Sequence, residues 1–190
     1  MTQTQQTPEP QSVLAPGIWE IDPVHTNVEF VARHLLSRVR GRFRDFSGQL
    51  VIAEDPTRSS VDVTIEAASV DTGNADRDAH LRSPDFLHVE RFPTLAFRGT
   101  ATRPGTEPGH YLVDGDLTIR DVTRPVTLEV EYHGWSDDPW GGQRAAFSAM
   151  TEVQRTDFGA DWNVVVETGG LLVGKTVRIE LEVEAIRKGG

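Results

Sequence analysis

The chain has 190 residues, of which 37% are hydrophobic, and a formal net charge of −10 at pH 7. These values predict one acidic globular domain, and the charge disfavours binding to nucleic acid or attraction to an anionic bilayer. The sequence contains no cysteine, which excludes disulfides, thiolate metal ligands and cysteine nucleophiles.

The first sixteen residues, "MTQTQQTPEPQSVLAP", differ in composition from the rest of the chain. They lack the basic and apolar regions of a signal peptide, which favours a cytoplasmic protein. Their Gln, Thr and Pro content predicts a disordered tail over residues 1–16, followed by one domain over 17–187. No window approaches the roughly 18 consecutive apolar residues of a membrane-spanning helix.

Apolar and polar residues alternate along most of the domain, which predicts β-strands with one buried and one exposed face. The alternating runs lie near residue 17 and over 28–32, 46–52, 61–67, 95–99, 113–119, 126–132, 147–149 and 177–183. Eight or nine strands suit a closed antiparallel barrel or a sandwich. The short connection 120–125 predicts a hairpin between its neighbouring strands.

Two stretches interrupt the alternation. "RHLLSRVRGRF", residues 33–43, is compatible with a short helix or an irregular crossover. In "GNADRDAHLRSP", Asn74 is a candidate N-cap and Pro84 a candidate stop, which predicts a helical turn between strands.

The interrupted region also holds most of the candidate polar site residues. Next to a barrel mouth, Arg77, His80, Arg82 and Arg155 could contact an anionic or polar headgroup. Bonds that brace the crossover are the alternative role for each of them. Asp76, His80 and His88 offer too few ligands in a suitable arrangement for zinc, so we expect no metal site.

The predicted barrel interior is apolar and contains no acid, base or nucleophile, so we expect it to bind apolar matter rather than transform it. Small residues on the inward faces would leave room for a ligand, although close packing of the strands would also explain them. The residues that we expect to line such a tunnel are Phe30, Leu50, Ile65, Phe86, Phe97, Leu117, Leu128, Phe147, Phe158 and Leu181.

Five segments, in order, resemble the YceI-like, polyisoprenoid-binding family: "IDPVHTNVEFVARHL", "VRGRFRDFSGQL", "ASVDTGNADRDAHLRSPDFLHVERFPTLAFRGT", "VDGDLTIRDVTRPVTLEVEY" and "RTDFGADWN". The resemblance runs from about Gly17 to Ile186. It implies an all-β fold, an antiparallel eight-stranded lipocalin-like barrel with a short helical crossover. It also implies a tunnel that holds a polyprenyl phosphate or an isoprenoid quinone, with no established catalytic residues. Leu87 stands where the family often has an aromatic residue.

We therefore expect the protein to carry or store an isoprenoid lipid, with no other cofactor and no catalysis. One alternative is an enzyme on an apolar isoprenoid-like substrate, with His80 or Asp157 as the acid-base group. Another is a stress or interaction protein whose barrel is filled. The sequence leaves open whether the chain forms a homodimer.

Overall fold

A computed structural model of the protein describes residues 13–165 and 172–189. Residues 1–12 of the predicted tail lie outside the described residues. The last four residues of that tail, 13–16, are described, and three of them accept hydrogen bonds from side chains of the domain. Trp135 Nε1 donates a hydrogen bond to Val13 O, Trp19 Nε1 donates to Ala15 O, and Arg187 Nη2 donates to Pro16 O.

The described residues contain eleven strands and one α-helix. The strands are β1 (Gly17–Ile21), β2 (Asn27–His34), β3 (Ser37–Phe43), β4 (Phe46–Ile52), β5 (Ser60–Glu66), β6 (Val70–Asp71), β7 (Thr94–Pro104), β8 (His110–Ile119), β9 (Val122–Asp137), β10 (Gln143–Gln154) and β11 (Val173–Arg187). The helix is α1 (Ala75–Arg82). This helix is too short to cross a membrane, and the described residues contain no other candidate span.

Eight of these strands close into an antiparallel barrel in the order β1-β4-β5-β7-β8-β9-β10-β11, and pairing of β1 with β11 completes the ring. In that last pairing Trp19 lies opposite Arg187, and Ile21 lies opposite Ala185. The predicted eight-stranded antiparallel barrel with a short helical crossover is confirmed.

The remaining strands, β2, β3 and β6, extend the sheet from β11, which pairs with β2 through residues 173–182. The interpretation of residues 33–43 as a helix or irregular crossover was wrong. They form most of the β2–β3 hairpin, in which His34 pairs with Ser37 across a turn made of Leu35 and Leu36. The two leucines obscured the hairpin because turns of this length normally carry Gly, Asn or Asp.

Both local predictions for the connections are confirmed. Ile119 pairs with Val122, so β8 and β9 form a hairpin through a turn at 120–121. The helix begins after Asn74, whose side chain accepts a hydrogen bond from the Arg77 N–H at 2.9 Å, and it ends at Arg82, two residues before Pro84.

Helix α1 and the 3₁₀ turn at Arg155–Phe158 lie at one end of the barrel, which we call the closed end. A core cluster of Phe97, Leu117, Val153 and Phe158 fills that end. At the opposite end, which we call the mouth, residues 13–16 lie beside the end of β4 and the start of β1.

Candidate binding cavity

A cavity of about 450 Å³ lies inside the barrel. It exists because alternate residues of each strand point inward, and their aliphatic and aromatic side chains meet without filling the interior completely. Near the mouth the wall includes Val13, Leu14, Pro56 and Ser59. The barrel is therefore hollow between the mouth and the packed cluster at the closed end.

Most of the residues that the sequence indicated for a tunnel do lie on the cavity wall. Eight of the ten are there, each on a different strand: Phe30, Leu50, Ile65, Phe97, Leu117, Leu128, Phe147 and Leu181. The other two, Phe86 and Phe158, are not among the lining residues. Both are buried, but Phe158 packs into the cluster at the closed end and Phe86 packs against Trp162 and His80 beneath the helix.

The inward glycines do not create the hollow. An ideal Cβ at Gly41 would lie 2.3 Å from Cζ of Phe30, and one at Gly115 would lie 2.6 Å from Cζ of Phe97. These glycines therefore make room for aromatic side chains of neighbouring strands. Of the two explanations that the sequence offered for small inward residues, close packing is the one that applies at these positions.

Two tyrosines supply polar atoms to the part of the wall near the mouth. Tyr111 on β8 pairs with Val130 on β9, and Tyr132 is two residues further along β9, so both point inward from adjacent strands. Burial raises the pKa of Tyr132 to about 12, and the nearby Tyr111 adds to the shift. Its phenol therefore stays un-ionised at neutral pH and adds no charge to the wall.

The cavity wall carries almost no charge. Glu29 is the only Asp, Glu, Lys, Arg or His among the lining residues of the described chain. Its carboxylate Oε2 accepts a hydrogen bond from Arg40 Nη1 at 2.6 Å, at a half-exposed position on the outside of the sheet. The wall therefore offers no cation to an anionic ligand.

The first two candidate headgroup residues brace the crossover. Arg77 donates from Nε to Thr72 Oγ1 at 2.7 Å and from Nη2 to Thr72 O at 2.9 Å. Arg82 donates to the carbonyls of Ala68 and Val70, each at 2.8 Å. Neither arginine is on the cavity wall, and both are engaged in fixing the backbone before the helix.

Arg155 is a buried cation whose hydrogen bonds all go to backbone carbonyls. Its side chain donates to the carbonyl oxygens of Ala160, Trp162, Val173 and Gly174. Burial lowers the pKa of Arg155 below its ordinary value, and the charge of Asp161 opposes the shift. The residue ties the 155–163 segment to the start of β11, away from the cavity wall.

His80 and Asp157 also lie outside the cavity wall. His80 Nε2 is 2.9 Å from Asp85 Oδ2, and its ring packs edge-on against Trp162 with ring centroids 4.5 Å apart. Asp157 is exposed. Neither side chain is placed to exchange a proton with a molecule in the cavity.

A polar cluster that the sequence did not indicate lies outside the barrel, where β1, β10 and β11 meet. Asp22, His25 and Glu184 place ligand atoms within 4.8 Å of one another. However, Nη1 of Arg144 donates to Asp22 Oδ2 at 2.7 Å and to Glu184 Oε1 at 2.5 Å. Since this guanidinium donates to both carboxylates, and its Nε donates to Asp138 Oδ2 at 3.0 Å, we interpret the cluster as an ion-pair network.

The YceI-like domain model matches residues 19–185. The chain belongs to the YceI-like family. It is similar to a UPF0312 protein of Serratia proteamaculans, with 40% identity over 165 residues that cover 86% of this chain and 82% of the relative.

Two solved structures share the architecture of this YceI-like domain. A YCEI protein of Campylobacter jejuni is 28% identical, with a TM-score of 0.70, and the match covers 83% of this chain and 90% of that one. A polyisoprenoid binding domain from Saccharophagus degradans, implicated in plant cell wall breakdown, is 14% identical with a TM-score of 0.69. That match covers 92% of this chain and all of the other, and it concerns the fold alone.

Sequence reasoning missed two features of the site. Tyr111 lies two residues before Val113, the first residue of the predicted strand 113–119. Because inward residues alternate, extending that strand by two residues places Tyr111 on its inward face. The cluster of Asp22, Arg144 and Glu184 had no local signal, because only the strand pairing brings residues 22, 144 and 184 together.

Proposed function

We propose that this YceI-like domain binds one isoprenoid lipid with an uncharged headgroup in the barrel cavity and shields it from water, as a carrier or a store. The observation that carries the proposal is the cavity of about 450 Å³ with its apolar wall. Its size falls within the range of roughly 300–1,000 Å³ found for small-molecule sites, which are mostly apolar with a few polar groups.

Burial of the apolar chain would drive binding. Each five-carbon isoprene unit gains roughly 3–4 kcal/mol when it leaves water, at about 0.8 kcal/mol per buried methylene. Ordering of the chain and loss of translational freedom offset much of this gain. The proposal therefore needs only a few units inside the barrel for a stable complex.

The wall favours a quinone over a polyprenyl phosphate. A phosphate buried without a cationic partner has a large desolvation cost, and the lining residues of the described chain include no cation. A quinone carbonyl needs only a hydrogen-bond donor, which the hydroxyl of Tyr111 can supply. In this proposal the headgroup lies near the mouth and the chain points toward Phe97 and Leu117.

Membership of the YceI-like family supports a binding role. The fold shared with a domain described as polyisoprenoid-binding agrees with an isoprenoid ligand. The positions of His80 and Asp157 away from the cavity favour binding without catalysis.

Two parallel titrations test the choice of ligand. Purified protein would be titrated with a short-chain ubiquinone and, separately, with farnesyl phosphate, with quenching or change of tryptophan fluorescence as the signal. We expect saturable binding of the quinone and binding of the phosphate that is at least about tenfold weaker, because one unpaired buried charge costs more than 1.4 kcal/mol. Equal or tighter binding of farnesyl phosphate would refute the uncharged headgroup. If neither ligand binds, the proposed function is wrong.

A further inference from the structure

An exposed apolar patch lies at the tip of the β2–β3 hairpin, outside the cavity. Its turn consists of Leu35 and Leu36, and Leu36 is 95% exposed. The Leu35 N–H donates to Leu172 O, and the Leu172 N–H donates to Val164 O, so the patch continues onto Val164 and Val165. We call Leu35, Leu36, Val164 and Val165 the apolar tip; all four are exposed.

Hairpin stability does not explain the two leucines. Leu35 has a φ of +52°, in the left-handed region where residues other than Gly, Asn and Asp are strained. Two-residue hairpin turns are usually made of those polar or small residues. A turn that violates this preference and exposes two leucines to water points to a role outside the fold.

Cations surround the apolar tip. Arg33 and Arg38 lie directly opposite each other in the β2–β3 pairing, although like charges at such positions repel. Arg33 packs against Gly174: an ideal Cβ built on Gly174 would lie 3.1 Å from the Cβ of Arg33. Lys175, the residue after Gly174, is exposed. Within residues 13–165 and 172–189, none of these three cations forms an ion pair.

We propose that the apolar tip docks onto a bilayer surface that contains anionic phospholipids. Leu35 and Leu36 enter the headgroup region, and Arg33, Arg38 and Lys175 face the lipid phosphates. Exposed apolar side chains flanked by cations are the combination that binds to such surfaces.

The net charge of −10 does not prevent this contact. At physiological ionic strength, charges separated by more than about 8 Å are largely screened. The lipid surface therefore responds to the charges close to the contact, which include the positive charges of Arg33, Arg38 and Lys175.

The same cations argue against a second copy of the chain as the occupant. A two-fold contact between two apolar tips places the same surface on both sides. Arg33 and Arg38 of one copy would then face Arg33 and Arg38 of the other, with repulsion across a desolvated contact. Anionic lipid matches this surface in charge, whereas the chain itself does not.

Vesicle sedimentation of the purified full chain tests the proposal, and the result does not depend on what the cavity holds. We expect binding to phosphatidylcholine vesicles that contain phosphatidylglycerol, much weaker binding to phosphatidylcholine alone, and release by high salt. Leu36→Ser should lower the partition coefficient at least about tenfold. Arg38→Gln should lower it roughly fivefold for the anionic vesicles only.

Two control variants match these changes at other places. Val24→Ser removes an 81% exposed apolar side chain from the loop before β2, at the opposite end of that strand. Arg98→Gln removes a cation whose side chain is 75% exposed on β7. Both should bind vesicles like the parent chain. Equal losses in the controls, or no binding to anionic vesicles, would overturn the proposal.

Sedimentation velocity tests whether a second copy of the chain, rather than a bilayer, covers the apolar tip. If the parent chain is a dimer that Leu36→Ser converts to a monomer, and vesicles do not bind, the apolar tip is a self-association surface and the membrane proposal is wrong. Ubiquinone binding in solution by a Leu36→Ser variant that no longer binds vesicles would separate this docking from the cavity function.

Discussion

Arg144 and Asp22 are 122 residues apart in the chain, and Nη1 of Arg144 donates a hydrogen bond to Oδ2 of Asp22 at 2.7 Å. Asp22 follows β1, Arg144 lies near the start of β10, and Glu184 on β11 between them contacts the same guanidinium nitrogen. Because β1 pairs with β11 to complete the barrel, this network connects the three strands on which closure depends.

The first prediction concerns Arg144→Met. The variant leaves Asp22, which is 7% exposed, without its cationic partner. We expect the free energy of unfolding to fall by about 3 kcal/mol, the scale of a broken buried ion pair. Urea denaturation followed by circular dichroism measures it. Arg98→Met is the control, since its contact with Asp62 is exposed and long at 3.8 Å; an equal loss there would contradict the role assigned to the network.

The second prediction is a pH dependence that arises from Asp22. Burial raises its pKa, but hydrogen bonds from His25, Arg144 and the Val24 N–H outweigh this and bring the pKa to about 2. A carboxyl group with a lowered folded pKa stabilises the fold above its unfolded pKa near 3.8, and this contribution disappears as pH falls toward 2. We expect a loss of about 2 kcal/mol over that window.

Asp22→Asn provides the comparison for this titration. The variant has lower stability at neutral pH, and its free energy of unfolding should fall less steeply between pH about 4 and about 2. Parallel curves for the variant and the parent chain would assign the acid sensitivity to other carboxyl groups.

The third prediction places the ligand against β10. Ala149 lies on the cavity wall, so Ala149→Phe fills part of the hollow and should reduce ubiquinone binding at least about tenfold. Met150→Phe, one residue further on the same strand, adds an aromatic ring outside the cavity wall and should bind normally. Thermal unfolding of both variants shows whether they remain folded, and normal binding by a folded Ala149→Phe would remove β10 from the binding site.

The fourth prediction concerns the headgroup. Tyr111→Phe keeps the ring on the wall and deletes its hydroxyl, so quinone affinity should fall roughly fivefold, the value of about one hydrogen bond. Binding of squalene, an isoprenoid hydrocarbon without a headgroup, should not change. If both ligands lose affinity equally, the tyrosine acts through packing and the headgroup lies elsewhere.

The fifth prediction tests the assignment of Arg155 as a brace. Arg155→Met leaves the carbonyls of Ala160, Trp162, Val173 and Gly174 without their donor, and the free energy of unfolding should fall by about 3 kcal/mol. The ratio of quinone affinity to farnesyl phosphate affinity should stay constant under native conditions. A selective loss of phosphate binding would instead identify Arg155 as a headgroup ligand.

Local sequence patterns predicted most of the barrel, because one inward face and one outward face impose a period of two on every strand. The cap at Asn74 and the hairpin at 120–121 were also predictable, because each depends only on residues that are neighbours in the sequence. Residues 33–43 were not, because Leu35 and Leu36 replace the usual turn residues and conceal a hairpin.

The polar part of the site was less predictable. Arg77 and Arg82 had the side chains of a headgroup site, but the carbonyls that they contact become available only when the chain folds back before the helix. Phe86 and Phe158 had the apolar character of tunnel residues, and only the tertiary fold decides whether a buried ring faces the cavity or the packed closed end. Partners distant in sequence, as for Arg144, leave no local pattern.

Native mass spectrometry of the protein purified without detergent shows whether the barrel cavity holds a lipid. We expect a population heavier than the bare chain by the mass of one apolar molecule, which organic extraction identifies as an isoprenoid lipid and which Ala149→Phe reduces. A chain that is always bare, and that stays bare after incubation with a prenyl quinone, would contradict the proposed function.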